Sequence, residues 1–281
     1  FHATCGGMGL TGIIMSATIQ LLPIKSSFIS QKTIKADCIE AACEAFDSNS
    51  DATYSVAWID CLSKGKSLGR SVIMLGEHAE QGGLEINLRQ KISVQFSTPS
   101  TLLNSLTMKA FNTAYWHKSK QNVSQTVALM PYFYPLDAIG EWNRLYGKKG
   151  FVQFQCVLPK IDGVANMRKL LTEISSSGEG SFLAVLKQFG NANQNLLSFP
   201  TEGYTLALDF KISESAIKTV SKLEDMVVDM GGRIYLTKDA LMKEKTFKAT
   251  YPNWEKFEAV RAKYGAIGKF KSMQSQRLGL A

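Results

Sequence analysis

The chain has 281 residues, of which 45% are hydrophobic and 20% charged, so it is long enough for one large or two modest domains with a real core. That balance excludes a disordered chain, and the lack of Lys/Arg blocks and of an Arg-rich aromatic platform argues against nucleic acid as a partner. The formal net charge of +8 leaves an anionic membrane surface, a phosphorylated substrate, or simply a basic enzyme.

The sequence starts at Phe1 with neither a start methionine nor a charged leader, and glycines follow at once, an opening from which an upstream segment is expected. Gly6, Gly7, Gly9 and Gly12 form a glycine loop, and residues 13–24 then read as a β-strand ended by Pro23. The apolar run through residues 10–24 is interrupted by Thr11, Ser16, Thr18 and Gln20. It falls short of the roughly 20 apolar residues of a spanning helix. Asp37 and Glu40 resemble a capping box at a helix start, with Ile39, Ala42, Cys43 and Phe46 as the apolar face. Residues 54–59 and 71–75 read as short strands, residues 101–118 as a broken helix, and residues 127–150 mix aromatics with Pro and Gly. The five cysteines (Cys5, Cys38, Cys43, Cys61, Cys156) include no CxxC pair, which points to reduced thiols, with neither a zinc site nor a disulfide framework.

The pattern is clearest over residues 152–238. Strands are expected at 152–158, 181–189, 204–210 and 233–238. Helices are marked by Met167, Leu170, Leu171 and Ile174, and by Ala216, Val220, Leu223, Val227 and Met230. The order β-α-β-β-α-β is the ferredoxin-like arrangement of an α+β fold: an antiparallel sheet with both helices on one face. Strand alternation sorts the side chains into two sets. Val152, Phe154, Cys156, Phe182, Ala184, Leu186, Leu206, Leu208 and Phe210 belong under the helices. Gln153, Gln155, Lys187, Phe189, Thr205 and Ala207 share the other face. Amides, an ammonium and a ring suit a pocket for a polyhydroxylated or anionic ligand; the plain alternative is a solvated sheet face.

Gly7-Met8-Gly9-Leu10-Thr11-Gly12 matches GxGxxG. A dinucleotide fold needs a strand before it, a helix after it and an acidic residue about 20 positions on. Residues 1–5 are a poor strand, β-branched residues follow, and the first acidic residue is Asp37, so the Rossmann reading fails. What remains is a backbone nest for a pyrophosphate or flavin, or a plain tight turn. His2, His78 and His117 share no ligand-like spacing, so no metal is expected. Lys187 and Lys238 sit at strand ends, where snorkelling surface lysines are common, and Trp58 and Trp142 have a core or interface role by default.

The residues also carry a resemblance. Ala3-Thr4-Cys5-Gly6-Gly7-Met8-Gly9-Leu10-Thr11-Gly12-Ile13 resembles the end of the flavin domain in the vanillyl-alcohol oxidase superfamily, within it the branch that oxidises polyprenylphosphoryl-ribose, related to the aldonolactone oxidases. Ser55-Val56-Ala57-Trp58-Ile59-Asp60, Tyr134-Pro135-Leu136-Asp137, Gly150-Phe151-Val152-Gln153-Phe154-Gln155, Lys187-Gln188-Phe189-Gly190, Gly232-Arg233-Ile234-Tyr235 and Tyr251-Pro252 follow in the same order. The match covers nearly the whole chain, and its specificity lies in the set rather than in any one motif.

The resemblance implies an FAD-dependent oxidoreductase acting on a sugar hydroxyl, of which this chain is the carboxy-terminal part. Residues 1–24 would end the FAD-binding domain, residues 25–232 would form the substrate-binding domain, and residues 233–281 would return to the first. Gly6, Gly7, Met8, Gly9, Leu10, Gly12 and Tyr235 would lie along the FAD. Gln153, Gln155, Lys187, Lys238 and Thr205 would line the substrate pocket, with Trp58, Phe133 and Phe189 as walls and Lys238 as the catalytic cation beside the flavin. The expected substrate is polyprenylphosphoryl-ribose, oxidised at the 2′ position within an epimerase pair with a short-chain reductase. The alternatives are an aldonolactone or sugar-alcohol oxidase and, in another class, a non-catalytic ligand-binding domain. The chain is expected in the cytoplasm or peripheral to the inner membrane, and alone should bind FAD weakly. It departs from the family at Ala207, where a cysteine is usual, and at Thr205 and Phe133, which replace asparagine and tyrosine. Thiol-directed inhibitors should therefore not trap it.

Overall fold

Apolar residues alternating at period two build one antiparallel sheet, and helices with stripes at period 3.6 cover one side of it. A computed structural model of the chain describes residues 1–87, 92–99, 104–181 and 183–280. In chain order the elements are β1 (Phe28–Ala36), α1 (Ile39–Asp47), β2 (Tyr54–Ile59), β3 (Ser71–His78), β4 (Ile92–Ser93), α2 (Ser105–Lys118), β5 (Val123–Ala128), α3 (Leu129–Phe133) and β6 (Ile139–Gly140). They continue as β7 (Phe151–Pro159), α4 (Gly163–Ser177), β8 (Ala184–Phe189), β9 (Gly203–Lys211), α5 (Glu214–Asp229), β10 (Arg233–Ile234), α6 (Glu244–Thr250), α7 (Trp254–Lys263) and α8 (Met273–Arg277).

The main sheet has eight strands in the order β10-β7-β9-β8-β2-β3-β1-β5. Its second half is the expected βαββαβ unit, with every pairing antiparallel. Its first half repeats the plan: β1-α1-β2-β3-α2-β5 pairs in the same spatial order, and the halves join edge to edge through β2 and β8. Under the helices, Phe154, Cys156, Ala184, Leu186, Leu206, Leu208 and Phe210 form one core with α4 and α5, continuous with Ala57, Ile59, Ile73 and the α1 face Ile39, Ala42, Cys43 and Phe46. Val152 is partly buried against it, and Phe182 lies outside the described residues.

Four expectations need correction. Residues 13–24 are not a strand: they pair with no other strand among the described residues, and Ile13, Met15 and Leu21 are 78%, 90% and 77% exposed. Their alternation supplies strand propensity, but a strand exists only with a ladder partner. The N-cap of α1 is Cys38, with no side-chain cap bond, because Glu40 is drawn instead to Arg168 on α4. The broken helix expected at 101–118 starts at Ser105, capped by Asn104 and Thr107, while residues 101–103 lie outside the described part. The last strand is two residues long and turns into a 3-10 helix, Leu236–Lys238.

The amino-terminal loop is tied to the carboxy-terminal helices by Arg261, whose guanidinium is fully buried. It donates to the carbonyls of Leu10 (3.0 Å), Phe270 (3.0 Å) and Leu280 (2.8 Å), and its charge is met by Glu258 at 2.6 Å. A buried guanidinium is tolerable only when its donors are satisfied in this way.

Candidate functional site

On the side of the sheet away from α4 and α5, cross-strand register sets the site. Gln153 stands opposite Asp209, Gln155 opposite Ala207, and Lys187 opposite Thr205, so consecutive rows of β7, β9 and β8 face the same way. These residues, with Leu136, Trp142, Leu183, Val185 and Lys238, line an open cavity of about 320 Å³. Leu136 and Trp142 come from the segment between β5 and β7, which folds over the sheet as one wall.

Hydrogen bonds fix the polar groups. Lys238 Nζ donates to Gln153 Oε1 at 2.9 Å, and Gln153 Nε2 donates to Asp209 Oδ1 at 2.9 Å. That chain orients the amide, because its oxygen must face the ammonium and its nitrogen the carboxylate. Gln155 Nε2 donates to Thr205 Oγ1 at 3.1 Å. Burial pushes the Asp209 carboxyl above the usual range, against the opposing pull of Gln153 and Lys238. Lys187 is shifted down, first by the protein mass around it and then by the like charge of Lys238, although its tip still reaches solvent through the open side. Among the described residues neither lysine forms an ion pair with a carboxylate. Two ammonium groups converge on one cavity that offers them no full neutralisation.

Of the expected pocket residues, Gln153, Gln155, Lys187, Lys238 and Thr205 meet here, as does Ala207. The expected walls lie elsewhere. Phe189 shares the face but packs edge-on to Phe199 (5.7 Å), which stacks on Tyr235 (4.5 Å), so the three rings form a ladder at the strand ends. Trp58 is buried with Val72 and Trp116, and its ring packs tilted against Tyr115 with centroids 4.6 Å apart. Phe133 packs edge-on to Tyr54 at 4.8 Å. Asp209 was missed, although its place on the strand, two residues past Ala207, was enough to find it. Trp142 and Leu136 follow from no periodicity, since they arrive on an irregular segment.

The glycine loop stands apart from this cavity. Gly6, Gly9 and Gly12 have φ of +77°, +73° and +149°, and the space beside Gly9 and Gly12 is open. Gly7 is needed for closeness, since a Cβ there would overlap the Ala3 carbonyl oxygen. Met8 also takes a positive φ of 55°, and Leu10 is buried. The Tyr235 amide extends the β7 ladder by donating to Gln155 O at 2.8 Å, which fixes Tyr235 and the following Lys238 relative to the pocket strands.

No protein-family model matches the chain. Over its whole length it is 36% identical to decaprenylphosphoryl-β-D-ribose oxidase of Mycolicibacterium smegmatis, of which it covers 63%. It is 26% identical to an uncharacterized protein in the mprA 5′ region of Streptomyces coelicolor and covers 80% of it. Among solved structures, a variant of berberine bridge enzyme, a reticuline dehydrogenase, superimposes with a TM-score of 0.50 at 13% identity, over 91% of this chain and 56% of that one. The chain thus spans less than two thirds of the oxidase. The relationship to the oxidase runs from end to end of this chain and bears out the resemblance drawn from the motifs to that branch, while the solved structure shows a likeness of fold.

Proposed function

From that relationship and the cavity's chemistry, we propose that this chain is the sugar-holding, carboxy-terminal part of an FAD-dependent oxidoreductase. Its substrate is ribose carried on a polyprenyl phosphate, oxidised at the 2′ hydroxyl as one half of an epimerisation that a short-chain reductase completes. The observation that carries the reading is the convergence of Lys187, Lys238, Gln153, Gln155, Thr205 and Asp209 on one open face of the sheet. On this reading residues 1–24 and 233–281 belong with the FAD-binding domain and residues 25–232 form the substrate domain. The Arg261 bonds that join Leu10 to the carboxy-terminal helices support that grouping.

The residues fit an anionic, planar cofactor. The paired ammoniums lack a full counter-charge, and Gly9 and Gly12 leave open space beside exposed backbone. FAD, when bound, supplies the hydride acceptor. Everything else is the chain's own work. Lys238 offers positive charge where negative charge gathers, which is worth most in a site shielded from water. Asp209 holds Gln153 in a single orientation, so its amide presents a fixed pattern to sugar hydroxyls. Gln155, Thr205 and Lys187 complete a row of donors and acceptors across three strands. A polyprenyl substrate would bring the protein to the inner-membrane surface; no helix among the described residues is long and apolar enough to cross a membrane.

The test is anaerobic bleaching of flavin absorbance in a polypeptide of the relative's full length. Polyprenylphosphoryl-ribose should bleach it and a free aldonolactone should not. The reverse result would favour an aldonolactone oxidase, and no bleaching by either would leave only a binding module. The present chain alone should carry little flavin; stoichiometric flavin absorbance after purification would contradict that part.

A further inference from the structure

The first half of the sheet has its own cavity on the same side as the sugar site. It is a groove of about 470 Å³ between α2 and strands β3, β1 and β5. Its floor holds Gln31 and Thr33 on β1, the counterparts by strand order of Gln153 and Gln155 on β7. The chemistry around them differs. Met74 and Val123 stand opposite Thr33, the Tyr115 ring forms a wall, and the exposed Lys118 and Lys120 form the rim. The groove therefore has apolar walls over a polar floor and is cationic at its mouth.

The surroundings extend this charge. From residue 104 to residue 136 the sequence contains no Asp or Glu, but it contains Lys109, Lys118 and Lys120. On α2, Met108, Asn112 and Trp116 face the sheet, while Leu106 and Phe111 are 77% and 47% exposed beside Lys109 and Lys118. Cations interleaved with outward apolar side chains, with no carboxylate to repel an anion, are complementary to an anionic bilayer surface.

We propose that this groove seats a phospholipid of an anionic bilayer, with the phosphate at Lys118 and Lys120 and the upper acyl chain along Met74, Val123 and Tyr115. This face of the chain then docks on the membrane. The inference stands independently of the sugar site, since the two cavities share no lining residue and β2 with its Trp58 lies between them.

The experiment uses the chain as it is. Flotation with vesicles of phosphatidylglycerol and phosphatidylcholine is compared with flotation on pure phosphatidylcholine, and binding of soluble short-chain phosphatidylglycerol is followed by titration calorimetry. Binding should require the anionic lipid and fall as salt rises. The double variant Lys118→Glu/Lys120→Glu should weaken it on the order of a hundredfold. Leu106→Ser/Phe111→Ser should weaken vesicle binding while leaving the soluble lipid bound. The four substituted side chains are exposed, so circular dichroism should report an unchanged fold. Equal flotation on neutral vesicles, or unchanged soluble-lipid binding in the lysine variant, would overturn the proposal. So would a chain that binds an acidic protein or polyanion but neither lipid form. Failure of the sugar-site reading would appear instead as sugar-phosphate binding unchanged by Gln153→Ala, with lipid binding untouched.

Discussion

The two halves of the sheet share a strand order but treat their second face differently. In the first half the helix after the third strand, α2, crosses to that face and packs Trp116 and Tyr115 over Trp58 and Val72. In the second half the equivalent helix, α5, stays with the core, so the rows of β7, β9 and β8 remain open. The anchor of α2 explains the difference. Buried Asp60 binds Arg70 at 2.8 Å and accepts from Asn112 Nδ2 at 2.8 Å, which pins the helix to the β2–β3 connection. A duplicated plan thus yields one surface closed by a helix and one left free for chemistry, and a single buried carboxylate marks the branch.

The largest effect should come from removing that anchor. Asp60→Ala strands a largely buried guanidinium and Asn112, and should cost roughly 3 kcal/mol in urea unfolding with a change in tryptophan emission as α2 loosens. If stability held, the anchor would not be what separates the halves. Next is Glu224 on α5, behind Lys238. Burial, helped by Asp239 and against Arg277, raises its carboxyl from 4.5 to about 7. Its folded value lies above the unfolded one, so the unfolded chain loses this proton first. Stability from this group is therefore full below pH 4.5, declines as pH rises towards 7, and is flat beyond. Glu224→Gln should remove that slope and gain up to about 3 kcal/mol above pH 7, as read from denaturation at several pH values. A parallel slope in the variant would refute it.

Smaller changes probe the open half. Lys238→Met removes the like charge beside Lys187 and the donor to Gln153. Ribose 5-phosphate binding, measured by calorimetry, should weaken about tenfold, close to the loss of one charged hydrogen bond. Least costly is Gly9→Ala, about 1 kcal/mol of backbone strain with no clash, whereas Gly7→Ala should fail to fold the loop. Equal thermal shifts for the two would show that the loop does not require Gly7 for its close approach.

How much of this was legible follows the same division. The second half is readable because β7, β9 and β8 alternate cleanly, which sorts Gln153, Gln155, Lys187 and Thr205 onto one face from the sequence itself. The first half was not assembled from sequence. Its strand β1 carries Lys32 between Ile29 and Ile34 and Lys35 after them, which gives no clear apolar period, and its pairing with β3 and β5 is long-range. Residues 13–24 show the converse error, a good strand pattern that finds no pairing partner among the described residues. The walls Trp58 and Phe133 were placed by resemblance alone and Phe189 by strand alternation as well, and each packs against other rings. Asp209 was missed because an acidic residue in a buried strand looks like an interruption until its partner Gln153 is seen.

The central claim is that the cationic rows of the open half-sheet, and not the groove of the closed half, hold the sugar for oxidation. The most direct test is the rate of anaerobic flavin bleaching by polyprenylphosphoryl-ribose in the full-length polypeptide, comparing Lys238→Met with Lys118→Glu. The account predicts a fall of about 10²–10³-fold for the first and an unchanged rate for the second. An unchanged rate in Lys238→Met would contradict it.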